Sequence, residues 1–244
     1  MVSSVSAREA ELIDEIESRG MLFFTSSDAA RFLDLDKEKV YSMLSRMKGK
    51  GLVSSVEQGK YVLTETLNSR DAYVLASNLV DGSYLGFFSA LHFHGLTDQV
   101  PQKIQVVATK RKNNEVEIQG RDLEFITVRS KDFFGYERFG EALVSTPEKT
   151  VIDSLRIPGK SGDLSNIFEL DFHEFDVGKL VDYAVKTGSS AVASRLGLLL
   201  ETKNIGFRES KLKDLISHYS LFDPSRPKEN PVNKWKIYCN REIS

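Results

Sequence analysis

Between Asp36 and Lys50 the apolar residues Val40, Met43, Leu44 and Met47 recur at i, i+3, i+4 and i+7, which places them on one side of a helix. Asp36 is the natural N-cap, Leu35 can staple onto Val40, and Gly49 and Gly51 stop the helix. The opposite side carries Glu38, Ser42, Ser45 and Arg46, flanked by Lys39, Tyr41 and Lys48. A helix anchored along one side that offers hydroxyls and cations on the other suits insertion into a DNA major groove. An ordinary surface helix with solvated lysines has the same pattern, so its neighbours have to decide.

Those neighbours fall in a telling order. Ser6 to Ser18 reads as a helix with Leu12, Ile13 and Ile16 inward and Gly20 at its end. Met21 to Phe24 is a short apolar run suited to a minor strand. Thr25 to Asp28 is a cap with an acid three residues on, opening a brief helix that buries Ala29, Phe32 and Leu33. After the Asp36–Lys50 helix, Leu52–Val56 and Tyr61–Thr64 flank the turn 57–60 and read as a hairpin. Three helices followed by a hairpin is the order of a winged helix-turn-helix, in which a helix reads the groove and the wing touches phosphate.

Beyond residue 65 the pattern changes. Thr66 to Leu79 predicts a connecting helix, and Ser89 is placed to cap a short helix over Ala90 to His94, closed by Gly95. Lys103–Thr109, with Ile104, Val106 and Ala108 on one face, predicts a strand. Glu115–Ile118 and Leu123–Arg129 predict others, together a small, largely antiparallel sheet. Pro147 behind Thr146 opens a helix that buries Val151, Ile152 and Leu155. Three further stripes follow, over Val177–Ala184, Val192–Leu200 and Leu212–Tyr219, and Trp235–Tyr238 suits an edge strand of the sheet. The fold class predicted is α+β: a winged helix-turn-helix over residues 1–65, then an α/β domain over residues 66–244 with C-terminal helices.

At 244 residues, 41% hydrophobic and 28% charged, the chain has the composition of a globular protein with room for two domains. No run of eighteen apolar residues and no basic-then-apolar start suggests a membrane span or signal peptide. The single Cys239 can form no internal disulfide or cysteine-based zinc site, and a reducing cytoplasm is the simplest expectation. A net charge of −2 does not advertise nucleic-acid binding, but its distribution does. Lys37, Lys39, Arg46, Lys48, Lys50 and Lys60 face only Glu38 and Glu57 within the stretch they span, and the acids cluster in the first helix.

No convincing catalytic set emerges, and the chain is expected not to be an enzyme or to need a cofactor. His92 and His94 with Asp98 invite a metal reading, yet positions two apart share no helix face, and packed or capping histidines account for them. Gly159-Lys-Ser161 lacks the leading glycine of a phosphate loop, since position 154 is Ser. Glu148, Lys149 and Asp153 read as charges on the exposed face of the Pro147 helix. Lys110-Arg111-Lys112, with Asn113 and Asn114, reads as a solvated basic turn or as a second contact for phosphate or an acidic protein.

Several segments in one order resemble the AbiEi family of type IV antitoxins. They are the predicted winged helix, Ser89–Thr97 (SALHFHGLT), Gln105–Thr109, Thr146–Asp153 (TPEKTVID), Arg195–Glu201 and Asn233–Asn240. The resemblance implies a winged helix that binds inverted repeats in its own promoter and represses the operon. It also implies a C-terminal domain that helps to counter a nucleotidyltransferase-like toxin, directly or indirectly. One departure stands out: the part beyond residue 64 is near-neutral, with 24 Lys/Arg against 25 Asp/Glu.

The residues expected at double-stranded promoter DNA are therefore Lys39, Ser42, Ser45 and Arg46 at base edges, with Lys37, Lys48, Lys50 and the wing residue Lys60 at phosphates. Two rivals remain, a winged-helix adaptor that binds only protein and a transcriptional regulator with no antitoxin role.

Overall fold

The computed structural model describes residues 4–112, 115–162 and 164–240, so Asn113 and Asn114 of the basic turn and Asp163 lie outside the described residues. Among the described residues the chain is a mixed α and β structure with three sheets.

Helix α1 (Ala7–Ser18) opens on a reciprocal cap in which the Ser6 backbone N–H donates to Glu9 Oε2 at 2.7 Å. After β1 (Phe24–Thr25) comes a second such cap. Thr25 N donates to Asp28 Oδ2 at 2.9 Å and Thr25 Oγ1 accepts from Asp28 N at 3.1 Å, opening α2 (Ser26–Leu33). Asp34 ends α2 in the left-handed region at φ 50°, and α3 (Lys37–Gly49) starts three residues later. Strands β2 (Val53–Glu57) and β3 (Lys60–Leu63) form a hairpin bulged at Ser55/Glu57, and β3 also pairs with β1. Leu12, Ile16, Phe24, Ala29, Leu33, Val40, Met43, Leu44, Met47, Val53 and Leu63 make one buried cluster inside these elements.

The helix predicted over Thr66–Leu79 is two helices, α4 (Thr64–Ser69) and α5 (Ala72–Asn78). Arg70 is extended at ψ 147°, and the Asp71 carboxylate accepts from Tyr73 N at 2.7 Å, starting a new helix instead of continuing the old one.

Next come β4 (Ser83–Leu85), α6 (Phe87–Phe93), β5 (Ile104–Ala108), β6 (Glu117–Ile118), β7 (Arg121–Thr127), β8 (Tyr136–Phe139) and β9 (Ala142–Ser145). They build a six-stranded sheet ordered β6-β7-β5-β4-β9-β8. The sheet is mixed: β6/β7, β4/β5 and β8/β9 are antiparallel, whereas β5/β7 and β4/β9 run parallel. All five residues of β5 are buried because both faces are covered. Ile104 and Val106 pack towards α5, and Val107 packs with Tyr84, Phe87 and Ile126 on the other side. Burial on both faces replaces the alternation that the sequence suggested.

Ser89 does not cap α6. Gly86 does, and a Cβ at Gly86 would lie 2.5 Å from Val107 Cγ2, too close for any side chain. Ser89 sits inside the helix, its hydroxyl accepting from Gln105 N at 2.8 Å and so fastening α6 to β5.

The helical part comprises α7 (Pro147–Arg156), α8 (Ser165–Phe168), α9 (Val177–Thr187), α10 (Ser190–Thr202) and α11 (Glu209–Lys213). Thr146 caps α7, accepting from Lys149 N at 3.3 Å, with Pro147 at N1. The expectation that Lys149 and Asp153 are exposed is overturned. Both are 0% exposed and paired with each other, and Glu148 is buried as well, because α7 packs between α6, α9 and α10. Burial raises the pKa of Asp153 and lowers that of Lys149, and the mutual attraction opposes both shifts.

The predicted helix over Leu212–Tyr219 is only the five residues of α11, and Tyr219 is exposed beyond it. Trp235–Tyr238 does not edge the main sheet. Its residues Ile237–Tyr238 form β12, central in a separate small sheet with β10 (Ser220–Leu221) and β11 (Pro231–Val232). Among the described residues no helix is long and apolar enough to cross a membrane.

Candidate nucleic-acid interface

Helix α3 is held by its apolar stripe, with Val40, Met43, Leu44 and Met47 all buried. Every other residue from Lys37 to Lys48 is exposed: Lys37, Glu38, Lys39, Tyr41, Ser42, Ser45, Arg46 and Lys48. The second part of the chain does not cover this side. Tyr41, 51% exposed, adds an aromatic ring among the cations. Asp36 precedes the helix as its N-cap but makes no side-chain cap bond, and its carboxylate instead pairs with Lys39 Nζ at 3.2 Å. Four cations thus share an open helix face with two carboxylates, a modest positive balance that solvent screens when nothing is bound.

Of the eight residues expected to touch DNA, six lie on this face: Lys37, Lys39, Ser42, Ser45, Arg46 and Lys48. The structure draws the other two away. Lys50 Nζ lies 2.7 Å from Glu9 Oε2 and donates to Ser4 O at 2.9 Å, so it closes α3 onto α1. Burial pushes the Glu9 carboxyl up, but hydrogen bonds from Lys50 and Ser6 outweigh this and hold its pKa below the ordinary value. Lys60 Nζ donates to Leu79 O at 2.7 Å and lies 3.7 Å from Glu57, turned from the hairpin towards the end of α5. Neither displacement was readable from spacing, because the partners are 41 and 19 residues away.

The hairpin tip has a second anchor. Glu57 accepts from Lys112 Nζ at 2.7 Å, and that ammonium lies 4.8 Å from the Phe125 ring centroid. The contact brings the basic turn 110–112 against the hairpin, with Lys110 and Arg111 exposed.

The remaining candidates do not assemble chemistry. His94 Nε2 meets Ser145 O at 2.7 Å, and burial lowers its pKa despite that bond. The His92 ring packs edge-on against Tyr73 at 6.1 Å. Among the described residues no group of histidine, cysteine and carboxylate side chains could hold a metal ion. Gly159 and Lys160 form part of a 3-10 turn, with Lys160 paired to Glu124. A cleft of about 690 Å³ lies between residues 156–164 and 223–226, and among the described residues no histidine or cysteine lines it.

No protein-family profile matches the chain, and no curated protein matches it. A solved structure, the crystal structure of RV2827C protein from Mycobacterium tuberculosis, superposes with a TM-score of 0.59 at 12% identity, covering 96% of this chain and 92% of the other. At that identity the likeness is one of fold, a mixed α and β architecture shared along nearly the whole chain.

Proposed function

We propose that this chain is a DNA-binding transcriptional repressor, with α3 as the groove-reading helix of a winged helix-turn-helix and the β2–β3 hairpin as its wing. The observation that carries the reading is the open outer side of α3, where Ser42, Ser45 and Arg46 stand with Lys37, Lys39 and Lys48 above a fully buried apolar stripe. In this reading Arg46 and Ser42 meet base edges, with Lys39 and Ser45 beside them, and Lys37 and Lys48 neutralise phosphates. The short turn between α2 and α3, residues 34–36, supports it, since helix-turn-helix readers join their two helices by a turn of about this length.

From the resemblance of the Ser89–Thr97 and Thr146–Asp153 segments to AbiEi antitoxins, we further infer that the repressed operon is its own. The remainder of the chain then counters a nucleotidyltransferase-like toxin encoded beside it. The test has two arms. Gel retardation and footprinting with the DNA upstream of its own gene should show a protected, salt-sensitive site. Co-expression with the adjacent toxin should restore growth. No retardation at low salt removes the repressor reading, and no rescue removes the antitoxin one.

A further inference from the structure

In a winged helix the hairpin tip supplies a cation to the phosphates beside the groove, and here the tip has none to offer. Its one basic residue, Lys60, donates to Leu79 O at 2.7 Å and is only 25% exposed at its side chain. Its carboxylate, Glu57, is 14% exposed and holds Lys112 at 2.7 Å. Lys112 is itself only 16% exposed and lies over Phe125, so the contact is partly sheltered from solvent and pins the loop after β5 to the wing. The two residues just before it, Lys110 and Arg111, stand exposed beside the wing tip.

We propose that this turn takes over the wing's role: Lys110 and Arg111, delivered by the Glu57–Lys112 tether, contact the DNA backbone in place of Lys60. The inference rests on the DNA-binding reading of α3 and adds a backbone contact to it. It makes sense of a second part that is near-neutral overall yet carries three consecutive cations at a loop that reaches the wing. The contact is to phosphate, so it is blind to sequence and changes the salt dependence more than the specificity.

The experiment measures binding of the full chain to a duplex from upstream of its gene by fluorescence anisotropy, over a series of salt concentrations. Lys110→Ala with Arg111→Ala should weaken binding about tenfold at low salt, equally on specific and scrambled duplexes, and flatten the log–log salt slope by about 2. Lys110→Glu should weaken it further, with the thermal midpoint unchanged in each variant. Lys60→Ala should leave the slope as it is. An unaltered slope and affinity in the double variant, while Arg46→Ala still weakens binding, overturns this inference and leaves the α3 reading standing. A parent chain that does not bind the duplex at all overturns both.

Discussion

Lys50 Nζ sits 2.7 Å from Glu9 Oε2, joining the first residue after α3 to the first turn of α1 across 41 positions of sequence. The contact makes Lys50 a member of the fold instead of the proposed DNA face. Lys50→Ala leaves a buried carboxylate without its main partner and should cost about 1–3 kcal/mol of stability. It should leave the salt slope of DNA binding unchanged. Urea denaturation and the anisotropy series check the two halves, and a lost slope with intact stability would return Lys50 to the DNA face.

The same pair sets a pH dependence. The pKa of Glu9 is held below its ordinary value of 4.5, so the stability it contributes is fully present above that value and is lost as the pH falls through the lower, folded one. Lys50→Ala should therefore flatten the acid limb of the stability curve below about pH 4.5. Parallel limbs for the variant and the parent chain would assign the acid transition to other carboxylates.

Lys149 and Asp153 form a buried ion pair one helical turn apart, with the Lys149 ammonium also 4.7 Å from the Phe134 ring. Asp153→Leu leaves a fully buried ammonium without its carboxylate and should destabilise by about 3–5 kcal/mol. Replacing both, Lys149→Met with Asp153→Leu, should recover most of the loss, since Lys149→Met removes the orphaned charge. Calorimetry of Asp153→Leu, Lys149→Met and the double gives the coupling, and additive losses would show that the pair does not act as a unit.

Trp235 lies directly over Gly197 of α10, where a Cβ would overlap the indole ring. Gly197→Ala should displace the indole and cost about 1–3 kcal/mol through overpacking. The chain has one tryptophan, so its fluorescence reports the shift without ambiguity. An unmoved emission maximum and an unmoved midpoint would mean that the small C-terminal sheet adjusts freely.

Local signals were the legible ones. The stripe Val40–Met47, the Thr25/Asp28 box and Thr146-Pro147 each act within one or two turns, and the structure realises all of them. What sequence reading missed depended on distant partners. Ser89 looked like a cap because its hydrogen bond to Gln105 is invisible in the chain order. Asp153 looked solvated because charges on a helix usually are, and nothing local shows that α6, α9 and α10 close over α7. The parallel pairing of β5 with β7 needed a crossover that short apolar runs do not announce. Six of the candidate DNA residues share one open helix face because a helical period placed them there, whereas Lys50, at the helix end, and Lys60, on the hairpin, rested on charge and position in the chain.

The most direct test of the account is the affinity of Arg46→Ala for the upstream duplex, measured beside a scrambled duplex of equal length. The account predicts a loss of about 1–3 kcal/mol on the upstream site, a much smaller loss on the scrambled one, and an unchanged thermal midpoint. Equal affinity of Arg46→Ala and the parent chain for the upstream duplex would contradict it.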